Sequence, residues 1–181
     1  MNDGLIPGRY AKALLEFAAE SDDNARIYSM MHTLDNSMAA QPALRKVLAN
    51  PFVQNDDKIH LLATAAGAKA DDPVFNRFVN LLVKNNRIDL MREIAIAYMQ
   101  LYRKVNNIYL VHVTSAAPLS PADENRLKTL IESHLKGAKM EYSSDVDPEL
   151  IGGFVVTINN EKLDASVADE LRQLRQKLLS N

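Results

Sequence analysis

The chain has 181 residues, 47% hydrophobic and 24% charged, the make-up of an ordinary soluble globular protein able to bury one or two cores. Its 21 basic and 23 acidic side chains are interspersed and leave a formal net charge of -2, which speaks against a nucleic-acid or anionic-lipid footprint. There is no cysteine, which excludes disulfides, thiolate nucleophiles and sulfur-bound zinc, and there is no run of about 18 apolar residues and no basic-then-apolar start; the expectation is a cytosolic chain that neither spans a membrane nor is exported.

Taken in chain order, apolar residues first recur at helical spacing from Leu5 to Ala19, through Ile6, Tyr10, Ala13, Leu14 and Phe17. A second helix starts near Asn24, carries Ile27, Met30, Met31, Leu34 and Met38, and stops at Gln41-Pro42, because proline disfavours helix in the residue before it. A short third, Leu44 to Leu48, ends at Asn50-Pro51. Asn55 with Asp56 and Asp57 is expected to cap a fourth, with Ile59, Leu62 and Ala63 inward and Gly67 at its close. Asp72-Pro73 sets a capping side chain before a proline suited to the first helical position, opening a fifth helix through Phe75, Phe78, Val79 and Leu82. The sixth is the clearest, with Leu90, Ile94, Ala97, Tyr98, Leu101 and Val105 on one stripe.

At Asn106-Asn107 the period falls to two. Tyr109, Val111, Val113 and Ser115 alternate with Leu110, His112 and Thr114, which predicts a strand and a new domain. Ser120-Pro121-Ala122-Asp123 then reads as a capped helix running to Gly137 with Leu127, Leu130, Ile131 and Leu135 inward. An extended Lys139 to Ser143, a strand Phe154 to Ile158, a turn at Asn159-Asn160 and a very short return strand at Lys162-Leu163 follow. Ser166 and Asp169 suggest a capping box for a last helix striped by Val167, Leu171, Leu174 and Leu178. The expected fold is α+β and mainly α: a six-helix bundle over 1–105 and a small α/β domain over 106–181.

Chemistry is hard to place on this sequence. "DVDPELIGGFVV", from Asp145 to Val156, has the acids of a metal loop, but an EF-hand needs Gly at its sixth position and Glu at its twelfth, where Leu150 and Val156 stand. It is no phosphate cradle either, since Gly152-Gly153 leads into a strand, not into a helix N-terminus. The glycines fit a tight turn or close backbone approach, and Asp147 a cap or turn. His32, His60, His112 and His134 are scattered without a second ligand at helical spacing. Ser115, Ser120 and Ser166 sit where strands end or helices begin, and Asp22-Asp23, Asp56-Asp57 and Asp71-Asp72 all precede helices, where they complement the macrodipole. No catalytic, cofactor or metal site is expected. The residues by themselves leave a binding or scaffolding protein, with a helical adaptor or nucleic-acid-binding module as the alternative.

Several motifs go further. "RYAKALLEFA" from Arg9, "NLLVKNNRIDLMREI" from Asn80, "VTSAAPLS" from Val113, "DPELIGGFVV" from Asp147 and "LDAS" from Leu163 run in order and resemble the delta subunit of bacterial rotary ATP synthases, the family of the mitochondrial oligomycin-sensitivity-conferring protein. The family often has Glu-Asn-Gly-Arg-Leu where this chain has Lys84-Asn85-Asn86-Arg87-Ile88, and Asp-Gly-Ser in place of Asp164-Ala165-Ser166.

The resemblance implies a non-catalytic stator subunit without cofactor, peripheral at the cytoplasmic face of the bacterial cell membrane, in an enzyme that couples proton or sodium transport to ATP synthesis. It implies that 1–105 holds the N-terminal helix of an alpha subunit and that 106–181 holds the b subunits of the peripheral stalk. The family's alpha-binding groove lies between its first and fifth helices, and the matching positions are Tyr10, Ala13 and Phe17 with Arg77, Leu81 and Asn85. Tyr10, Phe17 and Leu81 suit a core equally well by periodicity, whereas the small Ala13 suits a groove.

Overall fold

The computed structural model describes residues 5–68 and 72–179. The chain divides into two compact units, Met1–Val105 and Asn106–Asn181. The first is all helical: α1 (Leu5–Glu20), α2 (Asn24–Ala40), α3 (Pro42–Ala49), α4 (Asn55–Ala66), α5 (Pro73–Lys84) and, after a single 3-10 turn at Ile88–Leu90, α6 (Met91–Val105). Both α1 and α2 pack along α6, α4 lies between α2 and α5, and α5 touches α1. Leu14, Ile27, Met31, Leu34, Leu62, Phe75, Val79, Leu82, Ile94 and Tyr98 fill the common core.

Backbone chemistry sets the helix boundaries. Pro42 opens α3, and Gly67 closes α4 in the left-handed conformation, its amide donating to the carbonyls of Ala63 and Thr64. Asn86 is also left-handed, with φ 52, which asparagine tolerates. Asp72 is buried and accepts from the Phe75 amide at 2.9 Å, capping α5, while its other oxygen pairs with Arg26 of α2. Asp71, expected to join it, lies outside the described residues. Asn55 does not cap α4: Gln54 precedes the helix without a side-chain bond, and Asn55, Asp56 and Asp57 form the first turn, where the two acids meet the positive end of the dipole. Asp23 likewise caps nothing and accepts from Arg26 Nε at 2.9 Å. The Tyr98 hydroxyl donates to the carbonyl and side-chain oxygens of Asn24, both at 3.1 Å, and its burial pushes its pKa up. Val105, placed on the apolar stripe of α6 by periodicity, is 67% exposed at the helix end.

The second unit is a four-stranded sheet ordered β2-β1-β3-β4, from β1 (Ile108–Ser115), β2 (Lys139–Val146), β3 (Gly153–Ile158) and β4 (Glu161–Ser166). β1 and β2 are parallel with α7 (Pro121–His134) as the crossover, and the other pairs are antiparallel. Register places Val111 and Val113 beside Ile158 and Val156, and Ile131 of α7 completes this small core. Ser120 caps α7 by accepting from the Asp123 amide at 3.2 Å. Lys128 ties the same helix to β2, its ammonium 4.3 Å from the centre of the Tyr142 ring.

Three expectations change here. The return strand has six residues and pairs along the whole of β3. Lys139 to Ser143 continues to Val146 as a full partner of β1. Leu130, expected inward, is 66% exposed, because α7 buries Ile131 and turns its neighbour outward.

The last helix, α8 (Val167–Leu179), begins at a polar knot. Ser166 Oγ accepts from the Asp169 amide at 3.2 Å, but the reciprocal partner of a capping box is Asp164, which accepts from both the amide and the hydroxyl of Ser166. These bonds and the Lys162 ammonium at 3.0 Å lower the Asp164 pKa from 3.8 to about 2. A carboxyl whose pKa falls on folding stabilises the fold above its unfolded pKa and stops doing so as pH falls through the folded value. The stability advantage of the native chain over Asp164→Asn should therefore be constant above pH 3.8 and vanish towards pH 2 in parallel denaturation series.

Because each unit has its own buried cluster, a fragment of residues 1–105 should fold alone. The expected result is a helical circular dichroism spectrum and one cooperative thermal transition; a featureless melt would mean that the bundle needs the second unit.

Candidate partner-binding surfaces

A helix in a small bundle buries one stripe and leaves the other to solvent, so an apolar exposed stripe shared by two neighbouring helices is informative. α1 and α5 share one. Ala13, Leu14 and Phe17 on α1 and Arg77, Phe78 and Leu81 on α5 line a groove of about 360 Å³. Leu14 and Phe78 are buried and form its floor. Ala13 is exposed, Leu81 is 44% exposed and Phe17 is half-buried, so these present the walls. The Arg77 guanidinium lies over the Phe17 ring, 5.7 Å from its centre.

Of the positions singled out from the sequence, Ala13, Phe17, Arg77 and Leu81 thus meet in one groove. Tyr10 and Asn85 are outside its lining: Tyr10 is half-buried and packs against the core, and Asn85 is exposed as the C-cap of α5. Leu14 and Phe78 were missed as groove residues because their spacing marks them as core, and they are both.

The second unit carries a groove of about 450 Å³ beside α7, lined by Leu127, Leu130 and Ile131 from the helix and by Phe154, Val156, Ile158 and Leu163 from the sheet. Register explains it. Phe154, Val156 and Ile158 share a face with Val111 and Val113, and α7 contacts the β2 side of that face. The β3–β4 half stays open, with Leu163 64% exposed. No sequence signal marked this groove beyond the broad apolar arc of α7.

A further apolar strip runs along α8, where Leu171, Leu174 and Leu178 are 51%, 55% and 80% exposed. The 3-10 turn Pro148–Leu150 packs against this helix, and Ile151 just after it has φ 65 with a side chain 68% exposed. A β-branched residue in left-handed backbone is strained. Ile151→Gly should therefore stabilise the second unit by about 1 kcal/mol in chemical denaturation, while removing an exposed apolar side chain beside α8.

The histidines build no site. His32, His60 and His134 are exposed, and His112 stands on the solvated sheet face between Ser143 Oγ at 2.9 Å and Asp145 at 3.5 Å. Among the described residues no three His, Cys, Asp or Glu converge as a metal site, and no helix is long and apolar enough to cross a membrane.

The model of the family described as ATP synthase delta (OSCP) subunit matches residues 6–178 of the chain. The chain belongs to this family. It is 37% identical over 180 residues to ATP synthase subunit delta of Bacteroides thetaiotaomicron, covering 99% of this chain and 96% of that protein. To the subunit delta of Parabacteroides distasonis it is 38% identical over 181 residues, covering 100% and 99%. Its fold matches a chain in the cryo-EM structure of the Toxoplasma gondii mitochondrial ATP synthase hexamer with a TM-score of 0.73 at 22% identity, over 96% of this chain and 97% of that one. As a member of the delta/OSCP family the protein is a non-catalytic stator subunit of ATP synthase.

Proposed function

We propose that the two units hold two different parts of the enzyme. The helical unit takes the N-terminal helix of an alpha subunit into the α1/α5 groove, and the sheet unit takes the b subunits of the peripheral stalk on the open β3–β4 face and the neighbouring α8 strip. The protein then sits peripherally at the cytoplasmic face of the membrane through the complex. Its work is to keep the catalytic head from turning with the central shaft while protons or sodium ions pass through the membrane motor. Hydrogen-ion or sodium transport belongs to the complex, and this chain needs no cofactor for its part.

The observation that supports this reading is that, among the described residues, each unit has an apolar groove left open beside its closed core. A groove walled by Ala13 and Leu81 above a Leu14–Phe78 floor suits the apolar stripe of one amphipathic helix, recognised by residues spaced a turn apart.

The test is a crossed one on the full chain. Leu81→Asp should abolish binding of a peptide of about 20 residues from the alpha N-terminus, roughly 30 Å of helix, and spare binding of a peptide from the C-terminal end of a stalk b chain. Leu163→Asp should do the reverse. Loss of both activities from either variant, or of neither, would overturn the assignment of partners to units.

A further inference from the structure

The α1/α5 groove has one polar lining residue, and its side chain is placed to read charge. Leu14, Phe78, Leu81, Ala13 and Phe17 offer shape and apolar area but no direction along a bound helix. In sites of this kind a small number of polar groups fix orientation. Here that group is Arg77.

Three other arginines of the helical unit pair with carboxylates across helices: Arg26 with Asp72, Arg92 with Asp35 at 2.8 Å and Arg45 with Glu93 at 3.8 Å. None of the ion pairs among the described residues uses Arg77. Its guanidinium lies over the Phe17 ring instead, 5.7 Å from the ring centre, and its N–H donors are not taken up by a carboxylate.

The helix that carries Arg77 has charge of one sign. α5 reads PVFNRFVNLLVK, with Arg77 and Lys84 and no acid along its length. The facing helix is mixed, with Arg9 and Lys12 beside Glu16, which lies 3.8 Å from Lys12, and Glu20, all of them exposed. A helix entering the groove therefore meets a cationic wall on the α5 side, in an apolar setting where a charge-assisted bond is stronger than in open water.

We infer that the groove selects a helix carrying an aspartate or glutamate at the edge of its apolar stripe, and that Arg77 binds this carboxylate through its guanidinium fork and so fixes the helix in one direction. This rests on the groove assignment above and adds to it the charge of the partner and the residue that reads it. The pair is formed only in the complex. It contributes orientation and affinity without taking part in the fold of the bundle.

The experiment uses the full chain, titrated calorimetrically with the alpha N-terminal peptide at low and at physiological salt. Arg77→Gln should keep the native melting temperature, since the side chain is exposed, and weaken binding about tenfold. It should also flatten the salt dependence. Replacing the peptide carboxylates one at a time by their amides should identify one whose loss matches that of Arg77→Gln and adds nothing to it. Arg77→Lys should recover charge but only part of the affinity. If Leu81→Asp abolishes binding while Arg77→Gln changes neither affinity nor salt dependence, or if no carboxylate couples to Arg77, the inference is overturned and the groove stands. If the native chain does not bind the peptide, or Leu81→Asp binds it normally, the groove assignment itself is overturned.

Discussion

Gly153→Ala should unfold or strongly weaken the second unit while leaving the helical bundle intact. Gly153 begins β3 with φ 75, and a Cβ built on it would lie 2.2 Å from the Ala165 carbonyl oxygen and 3.2 Å from the Ser166 Cα. The obstacle is backbone of the paired strand β4, so no rotamer change relieves it. Steric overlap, left-handed backbone and disruption of the β3–β4 ladder act together, and a loss of at least about 3 kcal/mol is expected. Gly152 is the internal control: its added Cβ meets the Val167 Cγ2 methyl at 3.0 Å, a side-chain atom that can turn away, and its φ is not left-handed. Gly152→Ala should cost about 1 kcal/mol or less. Denaturation followed separately in the two units would show Gly153→Ala losing the sheet transition first; equal effects of the two substitutions would contradict the close-approach explanation.

Ala13→Asp should abolish binding in the α1/α5 groove without harming the fold. Ala13 is exposed on the groove wall, so a carboxylate there is solvated in the free protein, and stability should change by no more than about 0.5 kcal/mol. When a helix covers the groove the same carboxylate is desolvated among Leu14, Phe17 and Leu81. A penalty of about 2 kcal/mol or more, at least about thirtyfold in Kd, follows. The new acid would also compete for Arg77, which lines the same groove. Tyr10→Ala provides the contrast: this side chain packs against the core, so its loss should lower the melting temperature more than the affinity. On the proposed attachment of the second unit to the stalk, the effective concentration of the groove in the assembled enzyme rises by about a hundredfold or more, so coupling should tolerate the Ala13 variant better than peptide binding does. Unchanged peptide affinity in a folded Ala13→Asp protein would place the binding surface elsewhere.

Local chemistry along the chain was enough to find the six helices of the first unit, the change of period at Asn106-Asn107 and the order of the elements after it. Proline at the start of α3, α5 and α7 and the left-handed Gly67 mark boundaries that no tertiary contact has to supply. The family, too, was legible in motifs such as those starting at Arg9 and Asp147. Other features depend on residues distant in sequence. A six-residue β4 is stable because β3 offers it a complete ladder, whereas the segment Glu161–Ser166 has little intrinsic strand signal. The partner of the Ser166 amide is by contrast local, Asp164 two residues back in place of the Asp169 of a capping box. The difference between core and groove was likewise invisible, since Leu14, Phe17, Phe78 and Leu81 fall on the same helical stripes. Single-helix periodicity says which residues avoid water but not which neighbour covers them, and only the packing of α1 beside α5 leaves Phe17 and Leu81 at an open wall with Arg77 between partners.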